Sequence, residues 1–538
     1  MSRYQLKEAH ELVVDGKRYL FGVSTGAILG MDAPAARVVD FLKNRPGVSV
    51  QELAAHLESE GETGGTQEAL EELVALEVVG SGGAGEWRGE GAEEPKGKGK
   101  IASLSACTPA PSHPCTSSSQ PRLPFPVRSL VCHIARDCNL RCAYCYAEGG
   151  SYGQERALMD PEMTCRSVDF LLRHSGGNRR ISFTFFGGEP LLNPQALRAA
   201  VQYGRAQEER WGKEIDFSLT TNATLLSEET VRFLSENRIG VTVSLDGPAA
   251  INDRMRTYPD GRGSYQSVLP QVRLLLDHHR TRPVAARVTV TRGVGDLGEI
   301  FGHLRGLGFS QVGFCPVSTR DARYALSLED LSSFLEQLCH LAWRCISVRV
   351  PEAKGLQEPS FQGLESLEWA GKDLPASDSH PTRSGYNPEE AAGRPLPLSN
   401  LANLLRELHR GERRPYPCGA GLGLLGVGVD GEIYPCHRFA GSPDLSLGRI
   451  EQGLDLGRQT AFFQRVHSTK RAEKCLECWI RYLCAGGCYF ESYVRHGDPF
   501  APNLDYCRWL AEWIEEGLRL YVALAENRPG ILMGLLED

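Results

Sequence analysis

The stretch "SLVCHIARDCNLRCAYCY", Ser129 to Tyr146, decides the fold. Its front half is a short apolar run of the kind buried in a parallel sheet. Its back half sets Cys138, Cys142 and Cys145 in one turn just past that strand. Further along, "ISFTFF", "IDFSLTT", "GVTVSL", "VAARVTVT" and "QVGFCPV" alternate with helical segments such as "NPQALRAAVQYGRAQEERW" and "SEETVRFLSEN". Six strands, each reached through a helix, predict an α/β fold whose parallel sheet curves into a partial barrel over residues 128–320. Its chemistry belongs on the loops at the strand C-termini. The three sulfurs therefore project from the mouth of the sheet. Their spacing suits thiolates that each bind a separate iron of one cubane, and with only three bound, one iron keeps an open position. Zinc, with Cys132, His133 or a distant residue as fourth ligand, is the alternative that spacing leaves open.

Composition narrows the partners. The 538 residues are 41% hydrophobic, enough for a large core and smaller domains beside it. With 59 basic against 67 acidic side chains there is no basic stripe to track phosphates, which argues against nucleic acid. No apolar run reaches the roughly 18 residues of a membrane span, and the N-terminus lacks the order of a secretory signal, so the expected location is cytoplasmic. Thiols stay reduced there, and 17 cysteines then argue for metal or redox chemistry over disulfides.

Residues 1–80 read as a separate module. "HELVVDGKRYLF" is a hairpin turning at Asp15 and Gly16, and three helical segments follow, the first capped by Asp32. Residues 81–127, rich in Gly, Ser, Pro and charge, read as a flexible linker in which Cys107 and Cys115 are incidental thiols. Residues 321–410 read as a helical bridge with a polar insertion, 411–520 as a Cys-rich domain, and 521–538 as a tail. Cys132, Cys165, Cys315, Cys339 and Cys345 sit in apolar contexts and read as small buried hydrophobes.

The strand "ISFTFF" runs into Gly187, Gly188, Glu189 and Pro190. Two residues without Cβ let a ligand lie against the backbone there, and Glu189 offers an acceptor for an ammonium group. Together with the C-x3-C-x2-C turn, with Thr220, Thr221 and Asn222 after the third strand, and with "SLDGP" (Ser244, Asp246, Gly247) after the fourth, this pattern resembles the radical S-adenosylmethionine (radical SAM) superfamily. The resemblance implies a [4Fe-4S] cluster on Cys138, Cys142 and Cys145 whose open iron is chelated by the methionyl group of S-adenosyl-L-methionine. It implies reduction by an external one-electron donor such as flavodoxin or ferredoxin, and release of a 5'-deoxyadenosyl radical that abstracts hydrogen. It further implies that Gly187, Gly188 and Glu189 receive the methionyl ammonium, and that Asn222 and Ser244 face the ribose and carboxylate.

Cys418 and Cys436 enclose Gly431 in a C-x12-G-x4-C run. Cys475, Cys478, Cys484 and Cys488 then follow as C-x2-C-x5-C-x3-C, with Cys507 later. This order resembles the SPASM extension of radical SAM peptide-modifying enzymes, and the likeness implies two auxiliary [4Fe-4S] clusters. Cys418, Cys436 and Cys488 would hold one, short of a fourth ligand, and Cys475, Cys478, Cys484 and Cys507 the other. "GLGLLG", Gly421 to Gly426, fits a dinucleotide-loop pattern but lacks its strand-then-helix context and is discounted. His437 stands just after Cys436, where sulfatase-maturing relatives place an Asp as proton acceptor. It is a candidate base or substrate-orienting residue.

The front module resembles the winged-helix-like precursor-peptide recognition element, in which the leader of a ribosomally made peptide adds a strand to a sheet edge. Through "RPVAARVTVTRGV", "FSQVGFCPV", "PCGAGL", "CHRFAGS" and "LCAGGCYFESYVRHGDP", the chain from 128 to 520 also resembles the maturases of quinohaemoprotein amine dehydrogenase. This implies thioether bonds between Cys and an Asp or Glu carbon of a small protein substrate. Carbon-carbon or sactipeptide crosslinking and sulfatase-type oxidation are the alternatives within the class. A non-enzymatic iron-sulfur or zinc scaffold is the alternative outside it.

Overall fold

The computed structural model describes residues 3–43, 45, 47–59, 66–82, 125–347, 396–414, 416–469 and 473–535. Cys107, Cys115, most of the linker and most of the polar insertion lie outside the described residues.

The front module builds two small sheets. β2 (Ala9–Val14) and β3 (Lys17–Gly22) pair as an antiparallel hairpin with β4 (Ile28–Met31) beside them. β1 (Arg3–Leu6) lies between β5 (Val48–Ser49) and β6 (Val79–Gly82). The hairpin turns at Asp15 and Gly16 with φ of 49° and 75°, the two left-handed residues of a type I′ turn. Three helices follow: α1 (Ala33–Leu42), α2 (Val50–Ser59) and α3 (Thr66–Ala75). Asp32 caps α1 by accepting from Ala35 N at 2.8 Å. Leu20 packs inward on Val38, Val39 and Leu70, while Leu12, Val14, Tyr19 and Phe21 face the main core. That outer face docks on the helix Leu504–Asn527. Arg519 donates to Val13 O at 3.0 Å, Lys17 donates to Glu526 at 3.0 Å, and His10 stacks on Trp479 with ring centroids 3.9 Å apart. Beyond any linker, then, the module is held by an apolar face with polar pins.

Arg18 donates two hydrogen bonds of 2.7 Å to Asp40, and Lys43 adds one at 3.0 Å. Chiefly through Arg18, these hold the Asp40 carboxyl down at about 2. Because the folded value lies below the unfolded one, the stabilisation is complete above an ordinary carboxyl pKa of about 3.9 and is lost as pH falls towards about 2. Acid titration of the melting midpoint should therefore show a smaller drop for Asp40→Asn than for wild type between roughly pH 4 and 2. Parallel curves would remove this linkage.

The large sheet runs β13-β12-β11-β10-β9-β7, all parallel, with β7 (Ser129–Arg136), β8 (Ala157–Leu158), β9 (Arg180–Gly187), β10 (Glu214–Thr221), β11 (Gly240–Ser244), β12 (Val284–Val290) and β13 (Gln311–Pro316); β8 pairs antiparallel with the end of β7. In β9 and β10 alternate residues, Ile181, Phe183 and Phe185 and then Ile215, Phe217 and Leu219, are buried on the outer face. The residues between them are half-buried on the inner, lumen face. The connecting helices include α4 (Pro161–His174), α5 (Pro194–Trp211) and α6 (Glu228–Glu236), capped by Asp160, Asn193 and Ser227.

Three features differ from the sequence reading. A seventh parallel strand, β14 (Leu424–Val427), joins the free edge of β7 and continues antiparallel into β15 (Glu432–Tyr434), so the Cys-rich region extends the parallel sheet. The "GLGLLG" window supplies this strand. The 520/521 boundary also disappears: Leu504–Asn527 is one helix with Tyr521, Val522, Ala523 and Leu524 buried, so its end is core and not tail. Finally, Cys132, Cys339 and Cys345 are buried, but Cys165 and Cys315 are only half-buried. Cys165 lies on α4, and Cys315 faces the lumen at the end of β13, where the sheet is open.

Candidate functional site

The Cys138 turn is pinned from both sides. Arg141 N donates to Thr257 O at 2.7 Å and Ala143 N to Met255 O at 2.9 Å, which ties the turn to the segment after β11. Gly188 N donates to Ala135 O at 2.9 Å and Glu189 N to Asp137 O at 2.8 Å, which ties it to the end of β9. The fit is close: a Cβ on Gly188 would lie 2.1 Å from Asp137 O, and one on Gly150 would lie 2.7 Å from Gly188 Cα and 3.0 Å from Cys138 Cβ. Backbone thus closes around the turn where side chains would fill it.

The three thiols interact with one another. Burial pushes Cys138 up to about 12 and Cys142 up to about 11, the latter against the pull of Arg256. Asn222 Nδ2 reaches Cys138 Sγ at 3.7 Å and Asn139 Oδ1 at 3.0 Å, so Asn222 steadies the turn from β10. Ser244 ends β11, half-buried on the lumen face. Glu189 is more deeply engaged than an open acceptor. Buried at 1% exposure, it accepts from Leu191 N at 3.0 Å, Thr221 Oγ1 at 2.7 Å and Asn222 N at 2.7 Å. Burial pushes its carboxyl up to about 7 in spite of these donors. Its visible work is to lock the ends of β9 and β10 together.

Sequence reading missed the brace behind this turn. Asp246 accepts from Arg256 at 2.8 and 3.1 Å, from Tyr144 OH at 2.5 Å and from Thr289 N at 2.9 Å. Asp246 and Arg256 side chains are only 3% and 8% exposed, so this is a buried ion pair carrying the tyrosine of the Cys turn. "SLDGP" signals the Asp, but nothing local signals Arg256.

The remaining thiols fall into two sets. Cys436, raised to about 12 by burial, feels Cys488 and Cys418. Cys507, raised to about 11 by burial, feels Cys484, Cys475 and Cys478. An aromatic cluster of Tyr434, Phe439, Phe462, Tyr489 and Phe490 packs against Cys436 and reaches the Cys138 turn through Tyr146, whose ring lies 5.4 Å from that of Phe490. After Cys436 a short helical turn, His437–Phe439, crosses above β14. Gly426 permits this, since a Cβ there would lie 2.5 Å from His437 N. His437 so enters the lumen beside Phe186 and His133, at ring distances of 4.7 and 6.3 Å. Burial first, then the neighbouring His133, Arg438 and Arg287, holds its imidazole well below the ordinary value and hence neutral.

Among the described residues no group of three or more Cys, His, Asp or Glu side chains is gathered tightly enough to hold a metal ion, and Gly187 and Gly188 pack against the backbone of Ala135, Asp137 and Gly150. The parallel α/β sheet and the family model agree: the chain belongs to the radical SAM superfamily, whose model matches residues 133–300. Among its relatives, the serine-type anaerobic sulfatase-maturating enzyme of Bacteroides thetaiotaomicron is 31% identical over 401 residues, covering 71% of this chain and 86% of that one. The cysteine-type enzyme of Clostridium perfringens is 27% identical over 429 residues, covering 75% and 99%. The fold is shared with native anSMEcpe with bound AdoMet, at a TM-score of 0.57 and 20% identity over 74% of this chain and 99% of that one. Family membership implies a [4Fe-4S] cluster and S-adenosylmethionine.

Proposed function

We propose that this protein is a radical SAM maturase acting on a peptide or small protein, and that its product is a thioether joining a substrate Cys to an Asp or Glu carbon. Relatives named as sulfatase-maturating enzymes support the coarser reading, as does a shared fold with anSMEcpe bound to AdoMet and the Cp18Cys peptide. The observation that carries the finer one is the lumen itself. Its C-terminal half presents His133, Phe186, Thr220, Ser244, Arg287 and Cys315, and no carboxylate among these positions, while the position after Cys436 is a neutral His437. Sulfatase-type oxidation, favoured by the relatives' names, is the second reading; it needs a different proton acceptor here.

Cys138, Cys142 and Cys145 would hold the SAM-binding cluster, and the two later sets the auxiliary clusters. When bound, cluster and SAM supply a 5'-deoxyadenosyl radical. The chain's own residues do the rest. Asn222 and the Asp246–Arg256 pair fix the turn, and Glu189 regains full charge beside a methionyl ammonium. Phe186, Tyr152 and the aromatic cluster exclude water, and His437, whose burial among cationic neighbours resists protonation, orients substrate. The front module presents β4 and other strand edges for a leader segment.

Anaerobic reconstitution should give about twelve irons per chain, three cubanes of four. A peptide bearing Cys and Asp, from an adjacent short reading frame, should lose two hydrogens and its free thiol in a reductant-dependent reaction. About four irons would remove the auxiliary clusters, and a product that kept its thiol would remove the thioether.

A further inference from the structure

The inner face of the sheet holds a positive charge that forms no ion pair among the described residues. On β12, Val284, Ala286, Val288 and Val290 are buried against the outer helices, so Arg287 turns to the lumen in register with Ser244 of β11 and Gly313 of β13. It is exposed to that space and forms no ion pair among the described residues. A full charge at mid-strand on the inner wall of a barrel contributes nothing to packing. The acids nearby are committed elsewhere: Asp246 to Arg256, Asp216 to Arg282, and Glu491 to Arg438, which also donates to Ser318 at 2.7 Å. A second observation points the same way. His133 is 2% exposed, lies in the lumen row beside Phe186, and leaves Nε2 without a partner. An unpaired guanidinium and an orphaned imidazole nitrogen on the inner face of the sheet offer a polar anion two partners.

We propose that Arg287 is a specificity-determining residue that binds a carboxylate of the substrate, an Asp or Glu side chain presented in the lumen, with His133 lining the same site. The proposal rests on the maturase reading and deepens it by assigning the group that selects an acidic residue. Guanidinium-carboxylate pairing gives both direction and strength. A methionyl carboxylate has the same chemistry, so the test must separate the two sources.

The probes are N-acetyl-aspartate N-methylamide and its asparagine isostere, followed by saturation-transfer NMR on the reconstituted full-length protein with oxidised clusters. The aspartate probe should bind wild type and weaken about tenfold or more in Arg287→Gln, with partial recovery in Arg287→Lys. The asparagine probe should be indifferent to either substitution. Saturating SAM should leave aspartate binding in place. Equal binding of the two probes, an unchanged affinity in Arg287→Gln, or displacement of the aspartate probe by SAM would each overturn the proposal. No turnover is needed, so failure of the maturase reading shows separately, as absence of product from the Cys-Asp peptide.

Discussion

Cys142→Ala is expected to abolish reductive SAM cleavage and to lower the iron content by about four of the twelve or so per chain. The turn itself should survive, because its shape is set by backbone bonds from Arg141 and Ala143 to Thr257 and Met255 and by the contact of Gly150 with Gly188. Among the described residues no neighbouring thiol replaces the lost one: Cys132 is buried on β7, and the later thiols lie near Cys436 and Cys507. Deoxyadenosine release and iron are measured together. A variant that still cleaves SAM, or keeps all its iron, refutes the assignment of this turn.

Asp246→Ala should destabilise the barrel by about 3–5 kcal/mol, the usual result of leaving one partner of a buried ion pair alone. Among the described residues Arg256 has no other carboxylate within its bidentate reach, and Tyr144 and Thr289 N lose their acceptor with it. The melting midpoint and the urea midpoint should fall together, and iron retention should fall with them because Tyr144 lies between Cys142 and Cys145. Asp246→Leu combined with Arg256→Met should recover much of the loss, since an apolar pair of similar volume removes both charges. A single-variant cost below roughly 1 kcal/mol would mean the pair is hydrated and carries little.

Much of the parallel sheet was legible because its signals are local. Apolar runs of strand length separated by capped helices require no knowledge of distant residues, and Asp15-Gly16 announces its own turn. The Cys138 turn was legible by spacing alone. β14 was not: four residues between glycines carry no period, and they become a strand only because β7 offers an unpaired edge. The end of the Leu504–Asn527 helix read as a tail because its burial depends on the front hairpin and the helix Ser399–Arg410 packing on it. Arg287 was within reach, since period-two alternation in "VAARVTV" puts a charge on the inner face. What that charge lacks is visible only when its neighbours are assembled.

By itself the sequence determined the alternation of strands and helices, the three-thiol turn and the order of the later cysteines, since bonded geometry and side-chain period act over a few residues. Tertiary structure alone decided that β14 joins β7, that His437 passes over Gly426 to lie beside Phe186 and His133, that Asp246 meets Arg256, and that Arg287 forms no ion pair among the described residues. Each of these depends on two segments far apart in the chain occupying one small volume, and no local period records that.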